Sequence, residues 1–184
     1  HFLELLGFVS AHYSHVLSKQ QHGLITSFRR LEPEAQCLYV RLANRKGKVF
    51  AAGKLRYPEI GPLQRPLSAL SAGGWVGAPG PEVFDDLLSC LTKQELHACA
   101  ARSFPGLSRS LKKADLVALV GEHCDAEVFI GDLEPGRFLV QRRTDWVRFL
   151  LFLYFGECRD GLSRSAVSAV SEAARGMRPS KTQL

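Results

Sequence analysis

Residues 38–60 read LYVRLANRKGKVFAAGKLRYPEI, and from Arg41 to Arg56 they carry Arg41, Arg45, Lys46, Lys48, Lys54 and Arg56 with no acidic residue among them. A surface helix ordinarily mixes Glu and Lys at i,i+4, because such pairs stabilise it and relieve self-repulsion. Missing compensation makes an anionic partner one candidate explanation, and a solvated basic face has the same composition. The stretch also changes period midway. Leu38, Tyr39 and Leu42 keep helical spacing up to the stop signals Asn44 and Gly47, whereas Val49 to Tyr57 lose it and read as strand. A small β-hairpin is therefore expected at residues 48–57.

Toward the amino terminus, Phe2, Leu5, Val9, Tyr13 and Val16 fall on one helical stripe, and Leu24, Phe28 and Leu31 repeat the pattern. A third helix starts near Pro33, whose missing N–H costs nothing in a first turn. In the other direction, Leu63, Leu67 and Leu70 make a helix ended by Gly73-Gly74, with Trp75-Val76 as a second strand candidate. The run GGWVGAPGP at 73–81 reads as a linker; it follows a helix and leads into prolines, so it does not fit a dinucleotide-binding loop. Helices followed by a basic hairpin resemble a winged helix, and a plain helical bundle with a small hairpin is the equal alternative.

The sharpest local signal follows. Thr92 and Glu95 have capping-box spacing, with Leu91 and Leu96 at the positions of a hydrophobic staple, so a helix is predicted to start at Lys93. It runs to about Ser103, where Phe104-Pro105-Gly106 break it, and Lys113 to His123 form a second helix. Arg109, Lys112 and Lys113 gather at the turn between them. The apolar stretch Trp146 to Phe155, interrupted by Arg148, is about half a bilayer span and reads as a buried helix. The fold class expected is mainly α, with helical periodicity from Phe2 to Phe155 and no large sheet.

Composition agrees with a globular chain. Its 184 residues are 46% hydrophobic and 23% charged, enough for a real core. Twenty-four Lys and Arg against eighteen Asp and Glu leave a net charge of +6, which favours polyanions such as nucleic acid. Cys37, Cys90, Cys99, Cys124 and Cys158 are odd in number and widely spaced, so buried free thiols in a reducing compartment are expected and a disulfide framework is not. The sequence begins at His1 with no signal-like segment, and no membrane partner is expected.

Residues 90–123, CLTKQELHACAARSFPGLSRSLKKADLVALVGEH, are similar to a SAP motif, in which LTxxEL opens the first helix and a basic residue precedes a Leu-rich second helix. Ahead of it, GLITSFRRLEPEAQCLYVRLANRKGKVFAAGKLRYPEIGPLQRPLSALSAGGWV resembles the region preceding the SAP-like module of the Fanconi-associated nuclease family, and WVRFLLFLYFGE resembles the helix leading away from it. The resemblance covers roughly Phe2 to Arg164 and suggests the amino-terminal part of a bacterial member. It implies a winged-helix-like DNA-binding region at 1–78, a SAP-like module at 79–126, a helical segment at 127–164 leading to further domains, and a low-complexity tail at 165–184 expected to be a truncated, unassigned or alternative-frame end.

The resemblance further implies a structure-specific DNA repair nuclease, acting on 5′ flaps and on nicked or branched duplexes in interstrand crosslink repair. The cutting belongs to a VRR-type module of the PD-(D/E)XK class holding Mg²⁺ or Mn²⁺. Here no Asp or Glu is followed two residues later by Lys, so that signature is absent and this chain alone is expected to be inactive, with no cofactor of its own. The DNA-binding residues expected are Arg41, Arg45, Lys46, Lys48, Lys54, Arg56, Tyr57, Arg109, Lys112 and Lys113, meeting phosphates without reading bases. The implied location is the bacterial cytoplasm, at the nucleoid when bound. A stand-alone winged-helix and SAP-like DNA-binding protein is the alternative.

Other chemistry finds little support. His12, His15 and His22 read as surface histidines, and Cys99, His123 and Cys124 match no zinc spacing. Ser163 and Ser165 in GLSRS lack the strand-turn-helix setting of a nucleophile elbow.

Overall fold

The computed structural model describes residues 2–155; Cys158, Ser163, Ser165 and the tail at 165–184 lie outside the described residues. In chain order the elements are α1 (Phe2–His12), α2 (Lys19–Arg29), α3 (Pro33–Ala43), β1 (Val49–Ala51), α4 (Gln64–Ala72), β2 (Val76–Gly77), α5 (Phe84–Cys90), α6 (Lys93–Ser103), α7 (Lys113–His123), α8 (Ala126–Gly131), β3 (Phe138–Gln141) and α9 (Thr144–Phe155). The fold is mainly helical with one small antiparallel sheet. Two compact units share the chain: one takes residues up to Lys46, Ile60–Trp75 and Arg143 onward, the other Gly47–Glu59 and Val76–Arg142. The boundaries expected at 78/79 and 126/127 both fall inside the second unit.

The first unit is helical: α1, α2, α3, α4 and α9. Its α2 opens on a capping box, in which Ser18 N–H donates to Gln21 Oε1 at 2.7 Å and Gln21 N–H to Ser18 Oγ at 3.2 Å. At the other end, carbonyls of the closing turn face Gln36 of α3, whose Nε2 reaches Phe28 O at 3.1 Å, Arg29 O at 3.3 Å and Leu31 O at 3.0 Å. One amide side chain thus fixes the turn between α2 and α3, and Pro33 at the first position of α3 needs no N–H partner there.

Aromatic rings fill the centre of this unit. Phe28, Tyr39 and Trp75 are fully buried, and Trp75 lies 5.3 Å from Phe28, 5.0 Å from Tyr39 and 5.3 Å from Trp146 between ring centroids. Such pairs contribute about 0.5–1.5 kcal/mol each beyond the area they bury. Trp75 corrects the linker reading of 73–81: glycine and proline around it allow sharp turns, but its indole is core and the next two residues are β2.

Antiparallel pairing in the order β1-β3-β2 builds the sheet of the second unit. Val49 faces Val140, Phe50 faces Leu139 and Ala51 faces Phe138, while on the other side Val76 faces Gln141 and Gly77 faces Val140. The hairpin expected at 48–57 is therefore corrected. Its first arm is a strand, but residues Ala52–Lys54 wind into a 3-10 turn and the partner strand comes from residues 138–141. A two-stranded hairpin is marginal in water, whereas a fully buried central strand satisfies its backbone only when paired on both edges. The segment expected to be helical at 127–164 accordingly contains β3, all four residues of which are buried.

Against one face of the sheet, Val49, Phe138 and Val140 join Phe84, Leu87, Leu88, Leu96, Leu116 and Val120 in a single core. The helix pair α6–α7 has the bounds its sequence predicts. Thr92 caps α6: its N–H donates to Glu95 Oε2 at 2.7 Å and its hydroxyl to the same atom at 2.8 Å, while Glu95 N–H donates back to Thr92 Oγ1 at 3.3 Å. Leu91 and Leu96 are both buried, as a staple requires. The Thr92 donors and the Arg137 guanidinium hold the Glu95 carboxyl at a pKa of about 2, against a reference of 4.5.

Candidate nucleic-acid interface

The residues singled out in the sequence divide between the units, with Arg41, Arg45 and Lys46 in the first and the other six basic residues, with Tyr57, in the second. Arg41 is exposed on α3. Arg45 and Lys46 are exposed just beyond its C-cap, where Asn44 Nδ2 donates to Val40 O at 3.0 Å and Arg45 N–H to Leu42 O at 3.0 Å. Cations suit a helix C-terminus, whose carbonyls carry the negative end of the dipole.

In the second unit, Lys48 immediately precedes β1, and its carbonyl accepts Gln141 N–H at 2.9 Å, so the sheet fixes its backbone while its side chain stays exposed. Lys54 ends the 3-10 turn, also exposed. Arg56 folds back on its own loop, with Nη1 donating to Gly53 O at 2.8 Å and Leu55 O at 2.7 Å. Tyr57 is half-buried.

At the start of α7, Lys112 donates its N–H to Asp115 Oδ2 at 3.2 Å, so that helix end already holds a carboxylate. Lys113 reaches away to α5, its Nζ donating to Ser89 O at 2.7 Å. The next residue, Cys90, donates its Sγ–H to Val49 O at 3.3 Å, so the α7 terminus and β1 brace against the same helix end. Lys113 is thus a strut as well as a charge, and Arg109 is exposed in the turn before it. Among the described residues Lys46, Lys48, Lys54, Arg109 and Lys112 enter no ion pair. Exposed cations on hydrogen-bonded backbone can neutralise phosphates, and nothing in their setting selects a base edge.

Arg142 is a basic residue that the sequence reading passed over. It follows β3 directly, is exposed, and donates from Nη2 to Ala78 O at 3.4 Å. A local signal existed in the Arg142-Arg143 pair closing the apolar run FLVQ. Arg143 itself belongs to the first unit, with a left-handed φ of 64° and its guanidinium 4.4 Å from the Trp75 ring centroid.

Cys99, His123 and Cys124 do line one groove of about 460 Å³, together with Leu91, Phe129 and Arg137. Burial pushes the Cys99 thiol above its usual pKa, which disfavours the thiolate a metal would need. Among the described residues no three His, Cys, Asp or Glu are placed to hold a metal ion. Cys37 is exposed, which corrects the expectation of a buried thiol; among the described residues no helix is long and apolar enough to cross a membrane.

Comparison with known proteins gives a consistent result. The family model described as "FAN1, HTH domain" matches residues 1–77. A Fanconi-associated nuclease 1 homolog of Pseudomonas aeruginosa is 36% identical over 95 residues, 52% of this chain and 17% of that protein. A homolog of the same name from Oryza sativa subsp. japonica is 29% identical over 90 residues, 49% of this chain and 8% of its own length. Two crystal structures of paFAN1 share the fold. The one bound to 2-nucleotide 5′ flap DNA with a gap has a TM-score of 0.76 and 25% identity, covering 100% of this chain and 33% of that one. The one with a 1-nucleotide 5′ flap has a TM-score of 0.69 and 26% identity, covering 87% and 30%. This chain therefore spans a third or less of the relatives it matches. The family model falls on the amino-terminal helices and β1, the solved structure with the 2-nucleotide flap covers the whole chain, and together they make this chain similar in sequence and fold to an amino-terminal region of Fanconi-associated nucleases.

Proposed function

We propose that this chain holds duplex DNA by its phosphate backbone, as the DNA-binding part of a structure-specific nuclease that acts on 5′ flaps and on nicked or branched duplexes in interstrand crosslink repair. The observation that carries this reading is the likeness of the whole chain, at a TM-score of 0.76, to paFAN1 bound to a gapped 5′ flap. The basic residues supply the means. Lys48 and Lys54 on one arm, Arg109 and Lys112 beside α7, and Arg45 and Lys46 beyond α3 meet phosphates, with Arg41, Arg56, Tyr57 and Lys113 alongside. Backbone contacts recognise shape, and a nick or gap lowers the cost of bending the duplex. The SAP-like module is α6–α7. Metal-dependent cutting belongs to a VRR-type module elsewhere in such an enzyme, with its Mg²⁺ or Mn²⁺, and this chain alone leaves DNA intact. Its place is at the nucleoid of a bacterial cytoplasm.

The test is fluorescence anisotropy on gapped 5′ flap, nicked and intact duplexes across a salt series. Flap and nicked DNA are expected to bind more tightly than intact duplex, with log K falling by about 0.9 per log unit of salt for each phosphate contact. Arg45→Glu with Lys46→Glu, combined with Lys112→Glu and Lys113→Glu, is expected to reduce binding to the weak non-specific level near ~10⁻⁴ M. A salt-independent affinity, or equal binding of all three DNAs, would overturn the reading.

A further inference from the structure

Gly77 has no side chain, and the space where one would stand is occupied by Arg142. A Cβ built there would lie 2.4 Å from Arg142 Nε, 3.0 Å from Nη2 and 3.1 Å from Cζ. All three distances are short, so the guanidinium occupies the space a side chain at Gly77 would take. The register explains why. Gly77 faces Val140, so Arg142, two residues further along, projects from the same face of the sheet and leans back over β2. The contact to Ala78 O then holds the outer end of the group.

We infer that Arg142, seated in the gap at Gly77, is a further phosphate-contacting residue of the DNA-binding surface. Three features support it. The residue is exposed. Its backbone stands at the end of the sheet where that of Lys48 enters, since Gln141 N–H donates to Lys48 O at 2.9 Å, and the two side chains leave that end on opposite faces. Its fork of N–H donors matches phosphate geometry, and a guanidinium already laid on a backbone surface loses less rotamer freedom on binding than a mobile chain does. The alternative role, a structural clasp between β3 and β2, uses the same Ala78 contact and makes a different prediction.

This inference rests on the DNA-backbone reading above, and the experiment separates the two. Arg142→Gln removes the charge. Gly77→Ala keeps every charge and lifts the guanidinium from its seat, at small folding cost because the group displaced is the end of a flexible side chain. Binding of the whole chain to gapped 5′ flap DNA is measured by anisotropy across salt, with thermal melts on every variant. Arg142→Gln is expected to weaken binding roughly three- to tenfold and to reduce the salt slope by about one contact, for all sequences alike. Gly77→Ala is expected to weaken it by a comparable factor, and Arg102→Gln, which breaks only the exposed pair with Asp132, to leave it unchanged.

If the unaltered chain binds with a steep salt slope and Arg142→Gln binds equally well, the inference is overturned while the DNA reading stands. A lowered melting temperature with unchanged affinity would assign Arg142 the clasp role and overturn it in the same way. Absence of salt-dependent binding by the unaltered chain would overturn both. Should Arg142→Gln fail to fold, Arg142→Lys decides: it keeps the charge without the fork, and intermediate affinity is the result expected.

Discussion

The helix pair α6–α7 and the basic arm around β1 lie in the same unit and are read from the sequence with very different success. For the pair, every determinant sits within five residues of its target: Thr92 with Glu95, Leu91 with Leu96, and the Phe104-Pro105-Gly106 break. The helices begin and end where those signals put them. For the arm, the deciding partner is Val140 opposite Val49, far along the chain, and the local pattern at 48–57 suggests a hairpin that does not form. Local hydrogen bonds announce themselves in sequence; a strand's partner does not.

The comparison can be broken most forcefully at Trp75. Trp75→Ala opens a void among Phe28, Tyr39 and Trp146, and a loss of about 3–5 kcal/mol is expected in urea unfolding followed by far-UV circular dichroism. A true linker residue would cost a few tenths at most. Near-wild-type stability would restore the linker reading of 73–81.

Val140→Ala tests the sheet. It thins the central strand between its two partners, and a loss of about 2 kcal/mol is expected. The sharper readout is hydrogen exchange, in which amides near Val49 and near Gly77 should open together. Opening confined to residues 48–57 would show that the arm folds as an independent hairpin.

Thr92→Ala probes the locally specified pair. Loss of a Thr cap costs about 1 kcal/mol, and faster exchange should be confined to the first turn of α6. If β3 loosens equally, the pair is less self-contained than its signals imply.

The last effect concerns pH. The Glu95 carboxyl titrates at about 2 in the folded chain against 4.5 as reference, so the unfolded state takes up its proton first as acid is added. Its stabilising contribution is complete above about 4.5 and disappears as pH falls toward 2. Glu95→Gln should therefore lower the melting temperature at neutral pH and flatten its decline between those limits. An unaltered acid profile would mean that the Thr92 and Arg137 contacts do not distinguish folded from unfolded chain.

Within the candidate interface, the identity and exposure of Lys46, Lys48, Lys54, Arg109 and Lys112 were legible, because an uncompensated charge run needs no tertiary information. Two roles were not. Lys113 braces against Ser89, and Arg142 occupies the gap at Gly77; both depend on segments that meet only after folding. Gln36, which closes the turn after α2, was equally silent: an amide on a helix face becomes a cap only when another helix ends beside it.

By itself the sequence determined the helical character, the bounds of α6 and α7, the excess of positive charge and the family resemblance, since periodicity, capping and composition act over one or two helical turns. Tertiary structure alone decided that β1 joins β3, that Trp75 is core, and that Arg142 lies across Gly77. A strand leaves half its hydrogen-bonding groups open to whichever edge folding supplies, and no pattern within the strand itself names that edge.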